Sequence, residues 1–374
     1  MMSNMLDYFN WRGDLTFEQD PFNDVDALIM AQLSYLNYDS IVPANPELGM
    51  PLKIVWEKFR SAPDYEERCD LGMVINRKTV DVLEAAAKSK RFGSLVMCAY
   101  SNKIDFSNEE QFSAVTFLLK TKGKFSKSSD PFIVYRGTDD TIVGWKEDFN
   151  LALNTGVPSQ QDAVDYADLV AKKCKGKIRI AGHSKGGNLA VYAGSFINKS
   201  FRKRLVEIYN FDGPGFTSQV MNTPEYKAAM PKINSWFPHF SVVGMFFEHL
   251  DRYTVVESVQ HGIMQHDAMS WQILGKDFVK VDELDVKSLS LNTSINAWLE
   301  SISEEKRAKI IDSVFSVLEA TGASTNSEIE ANLLKNSAKM IKAISKIDDE
   351  VRDEASALVK LIVESLLDNS IFRK

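Results

Sequence analysis

One short segment, IRIAGHSKGGNLA from Ile178 to Ala190, constrains this chain more than any other. Lys177 to Ala181 alternates branched apolar residues and predicts a strand, while Asn188 to Phe196 predicts a helix. Between them Gly182, Ser184 and Gly186 stand in G-x-S-x-G spacing. A chain that passes from strand to helix in so few residues must bend tightly. The positions flanking the serine must then lack side chains, and the bend lifts Ser184 Oγ clear of the sheet. Gly187 lets the helix approach closely. The helix N-terminus aims its free N–H groups and its dipole at that oxygen, where they favour developing negative charge.

The rest of the chain supplies a sheet for this bend to sit on. Asn23 is placed to cap a helix through Leu28, Ile29, Leu33 and Leu36, and further helices are expected over Leu52 to Arg60 and Lys78 to Ala87. Leu95 to Tyr100, Phe112 to Leu119 and Phe132 to Tyr135 then read as strands. An amphipathic helix with Ser159 as its N-cap runs to Cys174, and a strand from Val206 to Phe211 follows the helix after Ser184. Strands separated by helices predict a parallel sheet with crossover connections. Less regular strands are expected at Asn234 to Phe237 and Tyr253 to Ser258.

From about Asn292 the composition shifts to Ala, Glu, Lys, Ser and Leu, and Pro disappears. Helical periodicity there predicts two or three long helices with a break at Gly322 to Asn326. Two units follow, 1–291 and a helical extension over 292–374. The extension is expected to cap the main domain; as a sharper alternative it binds a partner, a second copy of the chain or a membrane surface.

A net charge of −7 without long basic runs argues against a nucleic-acid backbone as partner and fits small or neutral substrates. Cys69, Cys98 and Cys174 lie far apart, with no Cys/His cluster for a metal and no disulfide framework, so neither metal nor organic cofactor is implied. The N-terminus lacks a basic and apolar leader, and no stretch approaches the roughly 18 apolar residues of a spanning helix. The expectation is a soluble cytoplasmic protein.

A serine nucleophile needs a base, and the chain has five histidines. His183 sits inside the bend and diverges from Ser184, which makes it structural. His239, His249, His261 and His266 all follow Ser184, in the chain order serine then histidine. His266, in a loop after the last legible strand, is favoured and His261 is second. An oxyanion needs two backbone donors: the amide of Lys185, next to the serine, and Thr138 in FIVYRGTD, where a strand ends in Arg-Gly-Thr. Trp145, Glu147 and Asp148 read as core and surface. The apolar run Met245, Phe246, Phe247 reads as a buried strand or, alternatively, as the wall of an acyl pocket.

YRGTDDTIVGWKEDFN, Tyr135 to Asn150, followed by AGHSKGGNLA, resembles the class 3 lipase pattern of (F/Y)RGT, a downstream W-x-x-D and GHSxGG. DYFNWRGDLTF, Asp7 to Phe17, and GIMQHDAMSWQI, Gly262 to Ile273, further resemble a poorly characterised bacterial branch of lipase-like α/β-hydrolases. The resemblance covers roughly Asp7 to Val279. It implies an α/β-hydrolase fold, a mostly parallel central sheet with helices on both faces, with Ser184 as nucleophile, Thr138 and Lys185 at the oxyanion and His266 as base. The acid departs from the pattern: Ser241 stands where the lipase aspartate belongs, leaving Glu248, Asp212 and Asp251 as candidates. The expected function is hydrolysis of a carboxylic ester, an acyl lipid or lipid-like ester. The alternatives are thioester or amide cleavage by the same triad, or a non-catalytic binder on a hydrolase scaffold.

Overall fold

The computed structural model describes residues 3–72, 75–119, 124–151, 156–250 and 252–371. Five helices precede or flank the first strands: α1 (Met5–Arg12), α2 (Asp24–Leu33), α3 (Leu52–Arg60), α4 (Tyr65–Cys69) and α5 (Thr79–Lys88). Asn23 caps α2 as expected, its side chain accepting from the amides of Val25 and Asp26. The main sheet runs in the order β1 (Met50–Pro51), β2 (Val96–Asp105), β3 (Glu110–Leu119), β4 (Asp130–Tyr135), β5 (Ile178–His183), β6 (Leu205–Phe211), β7 (Ile233–Pro238), β8 (Thr254–Val256) and β11 (Lys280–Val281). A separate two-stranded ribbon pairs β9 (Ile273–Leu274) with β10 (Asp277–Phe278). Parallel pairing is confined to β4 through β8, and the pairs on either side are antiparallel. The sheet is therefore mixed with a parallel centre, because the short turn from β2 to β3 admits only an antiparallel hairpin.

Helices α6 (Ile142–Leu151) and α7 (Pro158–Lys173) connect β4 to β5, α8 (Lys185–Phe196) leads to β6, and α9 (Ser218–Met221) with α10 (Pro224–Ala229) leads to β7. Strand order within the parallel centre follows chain order, so right-handed crossovers deliver their helices to one face. On that face Ile133, Tyr135, Ile180 and Ile208 pack with Ala167 and Val170 of α7 and Leu189 and Ala193 of α8. The alternate residues Phe132, Val134, Ala181, Tyr209 and Phe211 point to the other face, where α1, α2, α3 and α5 cover them. Helices thus lie on both faces, but the second set comes from the N-terminal segment. Every residue from Val25 to Leu33 is buried, since α2 lies between the sheet and the outer helices. Arg91 and Asp26, both fully buried, form a bidentate pair at 2.5 and 2.7 Å that ties these helices together.

Two local expectations change. Ser159 is not the N-cap of α7; that place falls to Val157, whose amide is taken by Gln160 Oε1, and Pro158 opens the helix. Among the described residues the tail holds five helices instead of two or three long ones: α11 (Val286–Ser301), α12 (Glu304–Glu319), the short α13 (Asn326–Ala331), α14 (Leu333–Ile344) and α15 (Arg352–Ile371). Apolar periodicity continues across their breaks, which are set by polar caps such as Ser303, whose hydroxyl accepts from Lys306 N–H. The tail has its own core around Phe315, Val317 and Leu318, joined from the main body by Ile142 and Trp145 of α6. Asn326 and Ser327 donate backbone N–H groups to Asp140, and Ile142 donates to Ser324 O.

Candidate functional site

The segment expected to bend does so between β5 and α8. Ser184 adopts φ 57° and ψ −133°, a conformation that costs a non-glycine residue about 1–3 kcal/mol. Flanking backbones leave no room for side chains: a Cβ on Gly182 would lie 2.0 Å from Gly186 O, and one on Gly186 2.2 Å from Tyr135 O. Gly187 meets Asn210 in the same way, which is how α8 sits so close to β6. The bend is held by Ser184 N–H to Phe211 O at 2.9 Å and Gly187 N–H to Ser184 O at 2.8 Å. Ser184 remains partly exposed at its tip.

Residue His266 arrives from a 3-10 turn, Gly262–His266, that follows β8. Its Nδ1 lies 2.6 Å from Asp212 Oδ2, and Asp212 is fully buried at the carboxyl end of β6. Of the three candidate acids the structure brings Asp212 to the imidazole. Glu248 is exposed instead, where its carboxylate takes the hydroxyl of Ser218 and its backbone pairs with Phe216. Asp251 lies outside the described residues. The second oxygen of Asp212 accepts from Ser241 Oγ at 2.5 Å, so Ser241, at the place where an aspartate was expected, touches the carboxylate at the end of β6. Among the other histidines, His261 is exposed, and His249 packs between Phe237 and Tyr253.

The His266 turn is fastened rather than free to swing. Gln265 O accepts from Trp271 Nε1 at 2.8 Å, and Gln265 Oε1 accepts from Phe240 N–H at 2.8 Å. Residue His183 adds a third tie. Burial first, and then the neighbouring His266, hold its pKa well below the usual value, so the ring is neutral. Its Nε2–H donates to His266 O at 2.8 Å and its Nδ1 accepts from Tyr35 OH at 2.8 Å, the tautomer following from the carbonyl partner. The structural role expected of His183 is thus support for the His266 backbone.

Across the bend, β4 delivers the Arg-Gly-Thr turn against the serine: a Cβ on Gly137 would lie 3.1 Å from Ser184 Cβ and 2.7 Å from His183 O. Thr138 is buried and gives its hydroxyl to Asp148 Oδ2. Lys185 begins α8, a position whose amide has no acceptor within its helix. Its side chain is buried beneath, with Nζ 2.8 Å from Gln111 O, 2.8 Å from Gln111 Oε1 and 2.9 Å from Glu147 Oε2. Glu147, read from sequence as core or surface, is fully buried in this ion pair and also takes the amides of Gln111 and Ser159. Removal from water pushes the Asp148 carboxyl up to about 6, against the opposing pull of Lys185 and the Thr138 hydrogen bond.

Ser184, His266, Thr138 and Asp148 all line one pocket of about 210 Å3, together with Trp145 and Asn76. Met245, Phe246 and Phe247 form neither a strand nor part of that wall; they lie in a turn where Phe247 has φ 63°. Among the described residues no group of three or more His, Cys, Asp or Glu is placed to hold a metal ion, and no helix is long and apolar enough to cross a membrane.

A family described as Mbeg1-like matches residues 86–316, more than half of the chain. The chain belongs to the Mbeg1-like family. The family match starts within α5 and ends within α12, so it crosses the boundary that composition suggests near Asn292. Among solved structures, one described as a crystal structure of M37 lipase is similar at 13% identity, covering 59% of this chain and 68% of that one with a TM-score of 0.35. No curated protein matches.

Proposed function

We propose that this protein is a cytoplasmic serine hydrolase of the α/β-hydrolase type that cleaves carboxylic esters through an acyl-enzyme on Ser184. The observation that carries the reading is the strained serine at the tip of β5 sharing a pocket with an imidazole whose Nδ1 is held by a buried carboxylate. Membership of Mbeg1-like, a lipase-like family, supports it. With Nδ1 held by Asp212, the Nε2 of His266 is the nitrogen left to take the proton of Ser184 Oγ as that oxygen attacks the ester carbonyl. Backbone N–H groups of Lys185 and Thr138 receive the oxyanion. The alcohol leaves with the proton from His266, and water, deprotonated by the same imidazole, releases the acid.

The pocket's volume of about 210 Å3 lies below the ~300–1,000 Å3 of sites for drug-sized ligands, which favours a short acyl group over a long chain. A fluorophosphonate probe tests the chemistry, since it reacts only with an activated serine. Labelling of the wild type and none of Ser184→Ala is expected, with p-nitrophenyl acetate cleaved faster than the palmitate ester. A folded wild type that resists the probe would make the chain a binder on a hydrolase scaffold. Acyl-CoA or peptide turnover exceeding ester turnover would change the bond that is cut.

A further inference from the structure

The acid of the proposed triad is gripped from a direction that the triad itself does not explain. Asp212 is fully buried, so both of its oxygens need donors. One is met by His266 and the other by Ser241 Oγ at 2.5 Å. A serine hydroxyl has a single proton, and here Asp212 receives it. Ser241 is itself fully buried, and its carbonyl is in turn fixed by two donors from the tail: the Ser288 hydroxyl and Asn292 Nδ2, the latter at 2.9 Å. Ser288, Asn292 and Asn296 stand four residues apart on one face of α11. Asn296 Oδ1 extends the row by accepting from Phe247 N–H at 3.4 Å. Val286, Leu289 and Leu291 beside this row are exposed, so the buried face of α11 near its start is polar and directed at the 241–247 segment. That segment presses on the acid: a Cβ on Gly244 would lie 2.3 Å from Asp212 Oδ1.

We propose that Ser241 is a positioning residue for the Asp212–His266 pair, and that α11 sets it through Ser288 and Asn292, making the C-terminal helical unit a working part of the active centre. The proposal rests on the triad reading above. Held at both oxygens, Asp212 presents Oδ2 to His266 Nδ1 in one orientation, which fixes the ring with Nε2 toward the pocket. Without Ser241 the carboxylate is free to turn about its Cβ–Cγ bond, and the ring loses its fixed partner. The consequence falls on the chemical step and leaves the walls that bind the acyl group untouched.

The test compares full-length Ser241→Ala, the double variant Ser288→Ala/Asn292→Ala, and the exposed-face control Ser290→Ala. Three readouts are taken on each: the rate of fluorophosphonate labelling, kcat and KM for p-nitrophenyl acetate, and the proton NMR resonance of His266 Nδ1–H. For Ser241→Ala the labelling rate and kcat are expected to fall about 10- to 100-fold, the worth of a hydrogen bond to a charged group, with KM within about twofold. Its Nδ1–H resonance should broaden or shift upfield. The double variant should move the same quantities in the same direction, and Ser290→Ala none of them. A folded Ser241→Ala with wild-type rate and resonance overturns the proposal, and a double variant that behaves as wild type overturns the part assigned to α11. If the wild type is not labelled, the triad reading fails. The resonance, which requires no turnover, then still decides whether Ser241 and α11 hold the pair.

Discussion

Ser184 and Asp212 share a backbone geometry that few non-glycine residues adopt, with φ of 57° and 50° at the carboxyl ends of adjacent parallel strands. Each such conformation costs about 1–3 kcal/mol, and it persists because the surroundings leave no alternative: the strand partners on one side, the glycine backbones on the other. Asp148 bears a different burden, a carboxyl pushed up to about 6 from 3.8 by loss of water. Between those values the folded protein binds more protons than the unfolded chain, so this group favours folding at the acid end and the contribution is lost as pH rises through the window. The urea midpoint of the wild type is therefore expected to fall more steeply from pH 4 to pH 6 than that of Asp148→Asn. Parallel curves for the two proteins would show that the carboxyl titrates as it does in water.

At the scale of elements, α6 and α8 meet through Lys185 and Glu147, each about 1% exposed. Removing one partner of a buried pair leaves an unmatched charge, which costs about 3–5 kcal/mol. Glu147→Leu is expected to lower the stability measured by urea unfolding by that amount, and a loss below about 1 kcal/mol would show that water reaches Lys185. This pair also marks where the sequence stopped being legible. The bend at Ser184, the capped helix at Asn23 and the strands from β2 to β6 were readable because their signals are local: glycine spacing, a capping residue, a period of two. His266 and His261 both follow β8, and packing is what separates them: His266 meets Asp212, whereas His261 is exposed. The carboxylate that meets His266 was not legible, because Asp212 stands 54 positions earlier in the chain and pairing at that range is settled by packing. Glu147 and the polar row of α11 were hidden for a related reason: polar residues in a helix read as solvent-facing unless a buried partner is known.

On the scale of the whole molecule, the tail and the main sheet are joined chiefly at α6 and at the 241–247 segment. Phe315 lies fully buried at the centre of the tail core, and Phe315→Ala is expected to cost that unit about 3–5 kcal/mol. Hydrogen exchange should then accelerate in the tail helices and in α6, more than 160 residues earlier in the chain, while the centre of β5 stays protected. Unchanged exchange in α6 would show that it does not depend on the tail. The sequential strand order carries a last implication. Because the crossovers cover only one side of the sheet, the first ninety residues must cover the other, and Ser3 O closes that cover by accepting from Ile273 N–H at 2.9 Å. As the polypeptide leaves the ribosome, α2 emerges with nine residues in a row destined for the interior and no strands to receive them until β4 and β5 have been synthesised, some 100 to 150 residues later. Biogenesis of this protein therefore includes an interval in which a greasy leading end waits for its own downstream strands, and a holding chaperone at that stage would raise the yield of folded protein.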